Sequence, residues 1–144
     1  MEDSKLFLYD LSCRVAFGVK CQLVNNNYSV VTLSSVSESE CQCIAFDMAA
    51  VSVKTSDVKP YLRSMSKMTS AEKQELAGLM NKYDVGVLKT NNNYVVFPFR
   101  LLKPITSIVR WFYEHHLDVH YLIEQGLALE APEEMYGYIE EPSE

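Results

Sequence analysis

The chain has 144 residues, 48% hydrophobic and 22% charged, the size and balance of one globular domain, which excludes disorder over most of its length, a collagen-like repeat and a coiled-coil rod. The net charge of −6 collects at one end: residues 130–144 hold six acidic side chains and no basic one, while the first 129 residues carry thirteen of each sign. A neutral body lacks the basic footprint of a nucleic-acid binder, and no apolar run approaches the ~20 residues that cross a bilayer.

The opening Met1-Glu2-Asp3-Ser4-Lys5 is acidic, without the basic start and apolar core of an export signal. Four cysteines stand at 13, 21, 41 and 43 with no CxxC pair. Together these features predict reduced thiols in a cytoplasm.

Residues 14–24 alternate with period two, Val15, Phe17, Val19, Cys21 and Leu23 against Arg14, Ala16, Gly18, Lys20 and Gln22. That pattern predicts a strand with one buried face. Asn25-Asn26-Asn27 reads as a turn. Further strands are expected over Tyr28–Val36, Cys41–Phe46 and Ala50–Lys54. Short strands at near-regular spacing predict a meander, curled into a small SH3-like barrel or an antiparallel sheet. The segment Asp57–Leu62 is then expected to leave the sheet, because Pro60 cannot donate to a central ladder.

From Thr69 the period changes. Thr69 and Glu72 fit a capping box, and Leu76, Leu79, Met80 and Tyr83 share one helical face, which predicts a helix over about residues 70–83. Val85–Thr90 and Tyr94–Phe99, separated by Asn91-Asn92-Asn93, read as a second hairpin. The repeat of Asn-Asn-Asn-Tyr at 25–28 and 91–94 is explained by shared turn chemistry. After Pro104, the stripe Ile105, Ile108, Val109 and Phe112 predicts a helix over about 105–116. Asp118 is placed to cap a further short helix ending at Gly126, and Leu127-Ala128-Leu129 to form a last extended piece before Pro132.

All three histidines, His115, His116 and His120, lie within six residues. On a continuous helix His116 and His120 would share a face, the spacing by which two imidazoles hold one metal. A helix break at Leu117-Asp118 would spoil it, and no HExxH glutamate is present. Capping or surface histidines are the simpler reading, with a catalytic base formed with Asp118 as a third. Cys41 and Cys43 are expected on one strand face as core residues, with a soft-metal site as the alternative. No Gly-rich nucleophile elbow and no phosphate-cradling Gly motif occurs, so neither a catalytic residue nor a cofactor is assigned. The aromatics Tyr94, Phe97, Phe99, Trp111, Phe112, Tyr113 and Tyr121 read either as a core or as an exposed patch that anchors a protein. Trp111, Tyr113, Tyr121, His115, His116 and Asp118 are the candidate partner contacts.

The string from His115 to Tyr136, HHLDVHYLIEQGLALEAPEEMY, resembles the ending of a group of small proteins encoded by Bacteroides-type phages and prophages, whose pattern is roughly HH-[FL]-D-Y-R-x-L-I-x-x-G-L-A-x-E-A-P-x-x-M-Y. The middle string Asp57–Thr69, DVKPYLRSMSKMT, and the opening Leu11–Val19 are also similar to that group. Together these strings make up about a third of the chain, and they occur in the same order. Val119 and His120 depart from the group's Tyr-Arg, so His120 is not one of its features. The resemblance implies a phage-accessory setting in a bacterial host and no particular activity.

These readings converge on an α+β single domain over residues 1–136, with a β-rich part at 1–56, a mixed part at 69–136 and an acidic flexible tail at 137–144. The expected function is non-enzymatic binding of a phage or host protein in the cytoplasm, without metal, cofactor or membrane. A nucleic-acid-associated small barrel and a metal-dependent enzyme using the histidines are the alternatives.

Overall fold

The computed structural model describes residues 2–24, 30–82 and 102–138. Within them an α-helix, α1 (Glu2–Arg14), leads into a 3-10 turn, Val15–Phe17, and then into five strands: β1 (Lys20–Leu23), β2 (Val31–Val36), β3 (Glu40–Ala45), β4 (Ala50–Lys54) and β5 (Val58–Leu62). Helices α2 (Ser70–Lys82) and α3 (Leu102–Glu114) follow, and a two-residue strand β6 (Leu129–Glu130) closes the order. The architecture is α+β, with one six-stranded sheet in the order β4-β3-β2-β1-β5-β6. The sheet is open and mixed rather than closed as a barrel: every pair is antiparallel except β5 with β6.

The first correction to the sequence reading is α1. Phe7, Asp10, Leu11 and Arg14 are buried and fall at i, i+3, i+4 and i+7, a helical stripe. Two of its four positions are charged, which hides it from a hydrophobicity pattern. Asp10 and Arg14 neutralise each other inside, Arg14 Nε donating to Asp10 Oδ1 at 2.5 Å. Arg14 is therefore a buried helix residue, not the outer face of a strand. The strand begins only at Lys20, after Gly18 turns the chain in the left-handed region (φ 68°) that ends the helical segment. Val19, Cys21 and Leu23 do face the core together, as the alternation predicts.

Strands β2, β3 and β4 lie where their β-branched runs place them. Cys41, Cys43 and Ala45 enter the core and alternate with exposed Glu40, Gln42 and Ile44. In β2 a register shift between Leu33 and Ser35 restores parity, so that Val36 stands opposite Cys41.

The second correction is β5, which stays in the sheet between β1 and β6 despite Pro60. Val24 N–H donates to Asp57 O at 2.8 Å. Counting alternately from that bond makes Cys21–Pro60 a non-hydrogen-bonded pair. The missing N–H of Pro60 thus faces away from β1 and removes no bond from that ladder.

The core joins Phe7 and Leu11 of α1 to the inner face of the sheet, with Leu122 and Ala128 from the C-terminal segment. Helix α3 packs against both α1 and α2, and Pro104 sits in its first turn, where a missing N–H costs nothing. The expected hairpin over 85–99 lies outside the described residues, as do residues 139–144 of the expected tail. Among the described residues no helix is long and apolar enough to cross a membrane.

Candidate functional site

Three of the polar clusters near the candidate residues are internal. The first centres on Glu72, whose capping box forms as the sequence predicts. Thr69 N–H donates to Glu72 Oε1 at 2.9 Å, and Glu72 N–H to Thr69 Oγ1 at 3.2 Å. The same carboxylate receives Arg63 in a bidentate pair, Nη1 to Oε2 at 2.7 Å and Nη2 to Oε1 at 2.5 Å. His115 Nδ1 lies 2.8 Å from Oε2. Burial alone would raise the Glu72 pKa, but the hydrogen bonds from Arg63 and Thr69 and the guanidinium charge overcome it and hold it at about 2. Trp111 stacks on His115 at 4.1 Å and donates Nε1–H to Glu75 at 2.9 Å. Tyr138 covers Arg63, its ring centre 4.0 Å from the guanidinium carbon. Between this cluster and residues 130–133 lies a cleft of about 430 Å3.

The second cluster surrounds His116, which ends α3. His116 N–H donates to Tyr113 O and Leu117 N–H to Phe112 O, both at 3.0 Å. This is the Schellman pairing, and His116 occupies its left-handed position (φ 58°), usually held by glycine. The break therefore falls one residue before the Leu117-Asp118 step. His116 is buried and stacks on Tyr136 at 3.7 Å. Burial, with the positive charge of Arg14 and Arg63 behind it, lowers its pKa to about 4, so the ring is neutral at pH 7.

His120 belongs to the third cluster. Its Nε2 lies 2.9 Å from the Tyr113 hydroxyl and 3.9 Å from Asp10 Oδ2, near the buried Asp10–Arg14 pair. Arg14 in turn donates to Leu117 O at 2.7 Å.

The three imidazoles thus point into three different surroundings, and His116 and His120 do not share a face. Among the described residues no three His, Cys, Asp or Glu side chains converge where a metal could sit. The four cysteines are free thiols. Cys41 and Cys43 face the core together, as their spacing predicts. Burial and then the neighbouring Cys41 push the Cys43 thiol up to about 11, and burial raises Cys21 further. Both thiols behave as small apolar groups rather than as ready thiolate ligands.

Of the six candidate contacts, only Tyr121 is largely exposed, at 59%. Trp111 and Tyr113 are each 4% exposed, His116 and Asp118 are buried, and His115 is mostly covered. The aromatic patch expected at Trp111 and Tyr113 is therefore interior, because α3 turns these two rings onto α2 and α1 respectively. Asp118 is a cap, its two carboxylate oxygens accepting from Leu122 N–H at 2.8 Å and Ile123 N–H at 3.0 Å. What it caps is a run of turns rather than a helix, since Tyr121 adopts φ 57°.

The surface the sequence reading missed is the β3–β4 hairpin tip, where Phe46 is 90% and Met48 79% exposed. Met48 N–H donates to Ala45 O and Ala45 N–H to Ala49 O, each at 2.9 Å, while Asp47 Oδ1 accepts from Ala49 N–H. Met48 takes φ 68°, the left-handed position of a three-residue hairpin loop, where glycine is favoured. The clue was the short gap between two period-two runs, which forces Phe46 out of the strand and into a turn. No protein-family model matches the chain, and no curated protein or solved structure matches it.

Proposed function

We propose that this chain is a non-enzymatic protein-interaction module, an accessory protein of the phage or prophage kind working in a bacterial cytoplasm. The observation that carries the reading is the β3–β4 tip: Phe46 and Met48 stand in water, and Met48 holds a left-handed turn position that glycine would fill with less strain. A bulky apolar side chain kept there at a conformational cost is an anchor for an apolar pocket on another protein. The partner surface thus moves from Trp111 and Tyr113, which build the interior, to Phe46 and Met48.

The resemblance to phage and prophage proteins supports the accessory setting. Its most specific string supplies interior residues here, including His115, His116, Asp118 and Tyr136. Such a string marks a shared scaffold, on which an exposed tip is free to differ.

The test is capture from nuclease-treated host lysate with the full tagged chain, compared with the Phe46→Ser/Met48→Gly double variant. A protein captured stoichiometrically by the parent chain and lost by the folded double variant is the expected result. Equal capture by both, or none by either, overturns the reading.

A further inference from the structure

We infer that a second copy of this chain pairs with β4, joining two sheets edge to edge in an antiparallel dimer centred on Ser52. The inference rests on the ladder of β4 and not on the partner proposed for the hairpin tip. Ala45–Ala49 at one end and Ser39–Thr55 at the other are hydrogen-bonded to each other across β3 and β4. Between them Cys43–Val51 and Cys41–Val53 keep the same parity. Val51 and Val53 therefore spend their backbone groups on β3, whereas Ala50, Ser52 and Lys54 turn their N–H and C=O to the opposite side. Among the described residues no strand lies on that side.

The three outward residues are symmetric about Ser52. A two-fold axis through it sets Ser52 against Ser52, and Ala50 against Lys54 of the second copy, so that all three outward N–H and all three C=O groups of each copy are paired. In the same register Val51 lies opposite Val53 of the second copy at the closer, non-hydrogen-bonded positions. Both valines are half-buried at the margin of the core, and the pairing extends that core across the axis. No like charges meet: Lys54 faces Glu40 on its own β3 and uncharged Ala50 on the other copy.

The two ends of the sheet differ in how they are guarded. β6 is two residues long and is followed by Pro132, a short, proline-stopped edge. β4 has five residues, no proline and no inward charge, and its only charged residue is Lys54 at its end. An unguarded edge of this length is a template for another strand, and the self-complementary register selects its own copy.

Sedimentation equilibrium of the full chain, from about 5 to 500 μM, tests this. A five-residue strand pair is a small interface, so a dimer with a dissociation constant on the order of 10–100 μM is expected. Ser52→Pro removes an outward N–H and leaves the β3 ladder intact, and is expected to weaken the dimer at least about tenfold. Ser52→Lys and Ser52→Glu each place like charges on the axis and are expected to be monomeric alone. An equimolar mixture of the two is expected to recover a heterodimer. The inference is overturned if the parent chain stays monomeric over the whole range. It is equally overturned if its association survives Ser52→Lys unchanged, or if the charge-swapped mixture stays monomeric. The Phe46→Ser/Met48→Gly variant should still dimerise, which separates this result from the fate of the partner reading.

Discussion

Three described non-glycine residues, Met48, His116 and Tyr121, hold left-handed backbone, and the first two do so for opposite reasons. His116 is buried: its ring stacks on Tyr136 and its backbone closes α3, so packing repays the strain. Met48 is 79% exposed, so its side chain gains little packing to offset the strain. Met48→Gly is therefore expected to raise unfolding free energy by about 0.5–1 kcal/mol while weakening partner capture. Urea denaturation beside the capture experiment checks both, and a loss of stability would show that the methionine serves the fold. His116 and Glu72 also set the pH dependence. Below pH 6.5 the unfolded chain protonates His116, while the folded chain refuses that proton until about pH 4. Stability should accordingly fall by on the order of 2 kcal/mol as pH drops through that window. Glu72 is lowered from 4.5 to about 2, so its contribution is full above pH 4.5 and is lost as pH falls through 2. Urea titrations at pH 7, 5 and 3 should show both losses. His116→Phe should flatten only the upper one, and Glu72→Gln only the lower.

At the scale of elements, what the sequence displayed was whatever apolar spacing alone determines. β3, β4 and α2 with its Thr69–Glu72 cap are of that kind. α1 escaped because half of its buried stripe is an ion pair, and β5 because a proline rule applies to donors and Pro60 occupies a position where no donor to β1 is needed. The candidate site was legible only as a list of residue types. The histidines and Trp111 were visible, but their burial depends on contacts distant in sequence, such as His115 with Glu72. Tyr136 is the clearest case of such a contact. Its hydroxyl accepts from Lys20 N–H and donates to Tyr61 O, each at 2.8 Å, bridging the start of β1 to β5. Tyr136→Phe leaves the Lys20 N–H without that partner and should cost about 1–2 kcal/mol. Amide exchange should show the loss locally, with faster exchange at Lys20 than at β3. An unchanged exchange rate there would show that the bridge carries no load.

Across the whole molecule, the expected division into a β-rich part at 1–56 and a mixed part at 69–136 meets links that run between the two. β1 lies between β2 and β5, so the sheet is incomplete until residues 58–62 arrive. Arg14 donates to Leu117 O, and Arg63 exchanges backbone bonds with His116 and Asp118, its N–H donating to one and its C=O accepting from the other at 2.8 Å each. Leu122 and Ala128 complete the core under α1. Cutting at residue 56 would strip β1 of one neighbour, expose Val19 and Leu11, and leave the buried Asp10–Arg14 pair open to water. Because net stability is a small difference between large terms, losses of this number exceed what a 56-residue fragment can spare. The full chain is therefore expected to unfold in one transition, with calorimetric and van't Hoff enthalpies in agreement. Fragment 1–56 alone should lack the dispersed amide spectrum of a folded sheet. A folded fragment, or two resolved transitions in the full chain, would restore the division into two parts and confine the interlocking bonds to a docking seam between them.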